Sequence, residues 1–340
     1  MRAMAFAALA LWVSAGAMAQ GAGKPAQAPA APLHEVTDEI GRTVKLPPMP
    51  QRIISLAPSV TETIYALGLQ DHLVGDTDFC DYPPDAQKKT RVGGAINPSL
   101  EIIASLHPDV VLVKRDFNRL ETVRALETLG IQTYVVDPQS VEQILSSTQR
   151  LGEVLGDAEA GKALAADLQQ RLDALQAKLS ATPPSRVLFV VWTDPLISVG
   201  KETFVADALR RSGAQSIVDS TQSWPHMNLE EVVKLQPEYL VFAPEHAESA
   251  AKDMDALSSL PGWRLLTAVH DRRYAVVSEA VIRPAPRIVD AIEGLAHQLH
   301  PAAFQDAGAP AKEAPAQVPA STTRPNAVHS EACRESRCDL

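Results

Sequence analysis

The stretch "NPSLEIIASLHPDVVLV" from Asn97 recurs in altered form as "MNLEEVVKLQPEYLVFA" from Met227, and each copy sets a glutamate, Glu101 or Glu230, directly after a matched leucine. Leu106 and Leu235, Pro108 and Pro237, and the acids Asp109 and Glu238 match as well. A carboxylate in a helix's first turn gains about 0.3–1 kcal/mol from the helix dipole, with Ser99 and Asn228 as the neighbouring caps. That accounts for each acid singly. A pair repeated in two copies is what a symmetric partner would read, so the chemistry open to Glu101 and Glu230 is charge recognition.

Other reactive residue types lack the spacing that enzymes need. No "G-x-S-x-G" elbow occurs, and "SVGKET" from Ser198 lacks the first glycine of a phosphate loop. A secreted hydrolase remains the reading from another functional class. The nine histidines are scattered without paired zinc spacing, so no metal site is expected. His226 is read as a loop histidine or as an axial ligand for haem or cobalt. Cys80, between Phe79 and Asp81, is read as a small hydrophobe in a loop or as a ligand contact. Cys333 and Cys338 could close a small disulfide loop in an oxidising compartment. A net charge of −10 argues against a nucleic-acid partner.

The elements that must position these residues follow from pattern and punctuation. Residues 1–19 read as a cleavable secretory signal, with Arg2, an apolar run from Ala3 to Val13 and a cut after Ala19. The run is shorter than the roughly 20 residues of a spanning helix, and no cysteine follows the cut to carry lipid. Residues 20–33 form a linker and 303–340 a tail, both too poor in apolar mass to fold. Residues 34–156 make an N-terminal lobe, 157–182 a bridging helix and 183–302 a C-terminal lobe.

Within the first lobe, "HEVTDEIGRTVKLP" predicts a hairpin around Gly41. "RIISLAPS" predicts a buried strand, and "SVTETIYALGL" a helix opened by a Ser/Thr-type cap and closed at Gly68. Strands separated by helical segments imply a mainly parallel sheet, and the continuous tetrads "VVLV" and "YLVF" suit strands covered on both faces. Asp157 caps a proline-free helix with leucines at spacings of three and four. About 24 residues at about 1.5 Å each give a rod of about 36 Å, long enough to join two lobes. In the second lobe, "RVLFVVW" predicts a strand ending at Trp192, and "TFVADALRRSG" a capped helix. The fold class is α/β: two lobes with mainly parallel sheets joined by a single long backbone helix, leaving a cleft between them.

From about Gln51 to His300 the sequence resembles the periplasmic solute-binding proteins of ABC importers whose lobes are joined by one long helix (class III), a superfamily serving cobalamin, siderophores and haem. "DFCDYPPDAQ", "NPSLEIIASLHPD", "SVGKET", "WPHMNLEEV" and "RPAPRI" resemble its cobalamin-binding branch most. The resemblance implies that Glu101 and Glu230 dock onto arginines of the importer's membrane permease subunits. It also implies that Trp224 lines the cleft and that Phe79 and Tyr82 sit in the matching first-lobe loop. Ala95 and Ala280 stand where that branch carries tryptophan, which would enlarge or soften the pocket.

A flat, partly apolar ligand wants aromatic faces and a few polar anchors. Phe79, Tyr82, Trp192 and Trp224 supply faces, Arg283 and Arg287 anchors, and Cys80, Asp81 and His226 lie beside them. The function implied is capture of cobalamin or a related corrinoid, as cargo rather than cofactor, by a periplasmic monomer without catalysis. A ferric siderophore or haem is the alternative cargo.

Overall fold

The chain enters its fold through the predicted hairpin, in which β1 (His34–Thr37) pairs antiparallel with β2 (Thr43–Leu46) and Gly41, at φ +87°, makes the turn. The computed structural model describes residues 32–243 and 250–305. The signal, most of the linker, all but the start of the tail, Cys333 and Cys338 lie outside the described residues.

β3 (Ile53–Ser55) is buried throughout, and α1 (Pro58–Ala66) follows it. The expected Ser/Thr cap is not used. Ala57 holds the cap position with no side-chain hydrogen bond, and Pro58 starts the helix, where its fixed φ and missing N–H cost nothing. Ser59, Thr61 and Thr63 are instead buried. Then come β4 (Leu73–Asp76), β5 (Thr90–Arg91), α2 (Leu100–Ser105), β6 (Val110–Lys114), α3 (Leu120–Thr128) and β7 (Thr133–Val136). The strands form one sheet in the order β5-β4-β3-β6-β7, every pair parallel. Apolar side chains pack on both its faces, as expected of parallel strands reached by crossovers.

The helix pair α4 (Val141–Leu155) and α5 (Ala158–Leu179) comes next. Ser140 and Asp157 cap the two starts, and Gly156 turns the chain between them at φ +92°. The 22 residues of α5 span about 33 Å at about 1.5 Å per residue. α4 folds back along α5 and enters the same two cores. Its Leu151, Val154 and Leu155 pack in the first lobe, while Val141, Ile144 and Leu145 pack in the second with Leu168, Leu172, Leu175 and Leu179 of α5. The two backbones touch at Gly152 and Gly161, where a side chain on Gly152 would lie 2.6 Å from the Gly161 Cα.

The second lobe is built from β8 (Ser185–Val190), a short hairpin of β9 (Trp192–Thr193) with β10 (Leu196–Ile197), α6 (Phe204–Arg211), β11 (Ala214–Ser216), α7 (Leu229–Leu235), β12 (Tyr239–Phe242), α8 (Ala250–Ser259), α9 (Thr267–His270), β13 (Tyr274–Val276) and α10 (Ile288–Leu299). Its sheet runs β11-β8-β12-β13, again all parallel. Trp192 therefore does not end the central strand as expected: β8 stops at Val190, and Trp192 opens the hairpin.

The two sheets share one connectivity, since β4-β3-β6-β7 and β11-β8-β12-β13 place equivalent strands in equivalent order. The repeat extends to backbone detail. His107 and Gln236, each before a proline, both take φ +44°. The helices end there in a left-handed turn.

Candidate functional site

Each lobe sends loops from the carboxyl ends of its strands toward the other, where open parallel sheets usually receive ligands. In the first lobe the loop after β4 is shaped by Arg91. Its guanidinium donates to Asp76 Oδ1 (2.7 Å) and to the carbonyls of Thr77 (2.6 Å) and Cys80 (3.1 Å). Asp76 is buried, its Oδ2 has no hydrogen-bond partner, and burial outweighs Arg91 to push its pKa up to about 7.

Cys80 faces inward from this loop with no exposed surface. The Thr61 hydroxyl donates to its sulfur at 3.1 Å, and Thr77 Oγ1 lies 3.3 Å away. Burial raises the thiol's pKa and so keeps it protonated. The ligand-contact reading of Cys80 is thus corrected: an enclosed neutral thiol packs the loop from below. Phe79 is half-buried, while Asp81 and Tyr82 are exposed.

The second lobe's contribution comes from two places. Between β13 and α10, Arg283 and Arg287 reach across to the first lobe. Arg283 Nη1 donates to Glu62 Oε1 and to Asp81 Oδ1, each at 2.8 Å, and its Nη2 donates to Glu279 Oε1 at 2.6 Å. Arg287 forks onto Glu62, Nε to Oε2 at 3.0 Å and Nη2 to Oε1 at 2.9 Å, with its guanidinium 3.7 Å from the centre of the Tyr82 ring. Burial works against the charge on Arg283, and the hydrogen bonds with Asp81 and Glu62 outweigh it, leaving its pKa raised. Arg283 was expected as a polar anchor for the ligand. It is buried, and its guanidinium is engaged by carboxylates from both lobes.

The other place is a small ribbon. Trp192 pairs with Ile197, and Ile197 bridges to His226. Ser198 N–H donates to the Pro225 carbonyl at 3.1 Å and Gly200 N–H to that of Ser223 at 3.1 Å. "SVGKET" and "WPHM" are thus two sides of one structure. Glycine is required at Gly200, because a Cβ there would lie 1.9 Å from the Gln222 carbonyl oxygen. The ribbon holds Trp192 and Trp224 on the carboxyl edge of the sheet with 44% and 45% of their surface exposed. His226 is exposed beside them.

Ala95 and Ala280 are both enclosed by protein. Ala95 O accepts from the buried Asn118 Nδ2 at 3.0 Å, and Ala280 packs in the second-lobe core. Glu101 and Glu230 are exposed in the first turns of α2 and α7. Ser99 caps α2 by accepting from Ile102 N–H, and Asn228 caps α7 by accepting from Glu230 N–H. Glu62, which holds both arginines, escaped the sequence reading. Its only signal was an acid inside the otherwise apolar and hydroxylated "SVTETIYALGL". Among the described residues no cluster of three His, Cys, Asp or Glu side chains is placed to hold a metal ion.

Comparison with known proteins fits this architecture. The profile of the periplasmic binding protein family matches residues 53–279. An uncharacterised ABC transporter substrate-binding lipoprotein of Bacillus subtilis is 30% identical over 279 residues, 80% of this chain and 87% of its own. The crystal structure of the periplasmic vitamin B12 binding protein of Vibrio cholerae is 28% identical, covers 75% of this chain and 99% of its own, and superposes with a TM-score of 0.66. A periplasmic heme binding protein from Pseudomonas aeruginosa is 25% identical, covers 74% of this chain and 94% of its own, with a TM-score of 0.66.

Proposed function

We propose that this chain, which belongs to the periplasmic binding protein family, captures cobalamin or a related corrinoid between its lobes and hands it to an ABC importer. The observation that carries this reading is the meeting of the two sheets' carboxyl edges. Tyr82 from the first lobe touches Arg287 from the second, and Trp192 and Trp224 stand half-exposed on the second-lobe edge. Large aromatic faces with a few polar groups suit a broad, flat macrocycle. The relative named for vitamin B12 spans both lobes, which supports that cargo.

The work is binding and release without bond chemistry, and the corrinoid is cargo rather than a resident cofactor. Glu101 and Glu230, exposed on equivalent helices, are the acids offered to the permease subunits. The chain acts as an exported monomer released by cleavage of its signal. Because α4 and α5 both root in the two cores, closure is a small hinge motion rather than a wide swing.

A second reading, a haem or ferric siderophore carrier of the same architecture, draws on the Pseudomonas aeruginosa likeness. Gel filtration after incubation with cyanocobalamin, hemin or ferric citrate separates the readings by the absorbance that co-elutes. Cyanocobalamin alone supports the proposal, hemin or the ferric chelate alone supports the second reading, and retention of none refutes both.

A further inference from the structure

We infer that Glu62 sets the charge of the ligand this cleft accepts, by occupying both Arg283 and Arg287 so that neither offers a free charge to the cargo. The inference rests on the carrier reading above and adds a substrate class to it: a ligand rimmed with neutral amides, rather than an anionic chelate.

Glu62 is almost completely enclosed, with 3% of its side chain exposed. Its Oε1 accepts from both Arg283 and Arg287, and its Oε2 from Arg287. Asp81 and Glu279 take further N–H groups of Arg283, and the Tyr82 ring covers the guanidinium face of Arg287. Three carboxylates thus surround two guanidiniums, a formal excess of one negative charge.

A carboxylate or catecholate ligand could reach these cations only by displacing Glu62 into a site where its charge has no partner, or by adding charge to a cluster already negative. Both are unfavourable when one partner is buried. The outer carboxylates behave differently. Asp81 and Glu279 keep 48% and 43% of their side chains exposed, so each still offers acceptor oxygens to solvent. Such a rim takes N–H donors. Primary amides around a corrin are donors of this kind, whereas haem propionates and ferric citrate bring only more negative charge. Selection here works by an unfavourable arrangement against the wrong cargo as much as by contacts with the right one.

Glu62→Gln tests this, because it keeps size and shape while releasing the arginines from a charge. Affinities for cyanocobalamin, hemin and ferric citrate are measured on the full mature chain by tryptophan quenching, at low and high salt. The wild type should bind cyanocobalamin and hold hemin and ferric citrate at least about tenfold more weakly. Glu62→Gln should strengthen binding of the two anions relative to cyanocobalamin by about tenfold or more. The gain should fade at high salt and vanish in the double variant Glu62→Gln with Arg287→Gln. Arg287→Gln alone, needed if Glu62→Gln does not fold, should weaken the anions further.

Unchanged anion binding in Glu62→Gln, or stronger anion binding in Arg287→Gln, overturns the inference while cyanocobalamin binding by the wild type leaves the carrier reading standing. A wild type that prefers hemin or ferric citrate overturns the inference and the corrinoid assignment together. Retention of no ligand refutes the carrier reading itself.

Discussion

The guanidinium of Arg287 lies 3.7 Å from the centre of the Tyr82 ring, so a cation of the second lobe covers an aromatic face of the first. The same arginine is forked onto Glu62. At this point the lobes meet through charge and aromatic surface, an arrangement a ligand can part.

Removing that aromatic face should affect binding more than stability. Tyr82 is 43% exposed, so Tyr82→Ala should shift the unfolding midpoint by only a degree or two. Its loss of stacking surface should weaken cyanocobalamin by about tenfold, in line with about 1–1.5 kcal/mol for an aromatic contact. Titration calorimetry with a parallel thermal melt checks both. Full affinity in the variant would remove Tyr82 from the binding surface.

The helix pair should resist any side chain at its crossing. A Cβ on Gly161 would lie 2.7 Å from the Gln149 carbonyl oxygen and 3.0 Å from the Gly152 Cα. Gly161→Val should cost about 1–3 kcal/mol by overpacking, read from denaturant unfolding. Because α4 and α5 serve both cores, both lobes should lose stability in one transition. Unchanged stability would mean that the pair is not closely packed.

Asp76 should give stability an unusual pH component. Its pKa is about 7 when folded, against an ordinary value of 3.8, so between these values the folded chain holds a proton that the unfolded chain has released. The stability from this group is complete below about pH 4 and is lost as pH rises through about 7. Relative to Asp76→Asn, the wild type should therefore fare better at about pH 5 than at about pH 8 in urea titrations. An equal difference at both pH values would contradict the buried, half-partnered carboxylate.

Much of this architecture was legible in the sequence. Asp157 marked the start of α5, and the continuous apolar tetrads marked β6 and β12 as strands covered on both faces. Other features were hidden for physical reasons. The apolar run "RVLFVVW" cannot say where β8 stops, because Val191 and Trp192 are as apolar as the strand before them. Helical periodicity in α4 shows that a face is buried but not that its two ends enter different cores. Glu62 looks like any helix acid until the chain returns, 221 residues later, with Arg283.

Charge at the paired helices should matter for delivery and not for capture. Glu101→Lys or Glu230→Lys changes an exposed first-turn residue, so cyanocobalamin affinity and folding should stay close to wild type. Uptake in cells carrying the cognate importer should fall about tenfold or more if, as proposed, these acids dock onto cations of the permease. Lost affinity in purified protein would instead place these acids in the ligand site.

The most direct test of the central claim is titration calorimetry of the mature chain with cyanocobalamin, alongside the variant in which Trp192 and Trp224 are both alanine. The account predicts one equivalent bound per chain by the wild type and at least about tenfold weaker binding by the variant. No heat from the wild type, or the same affinity without the two tryptophans, would contradict corrinoid capture at this edge of the second lobe.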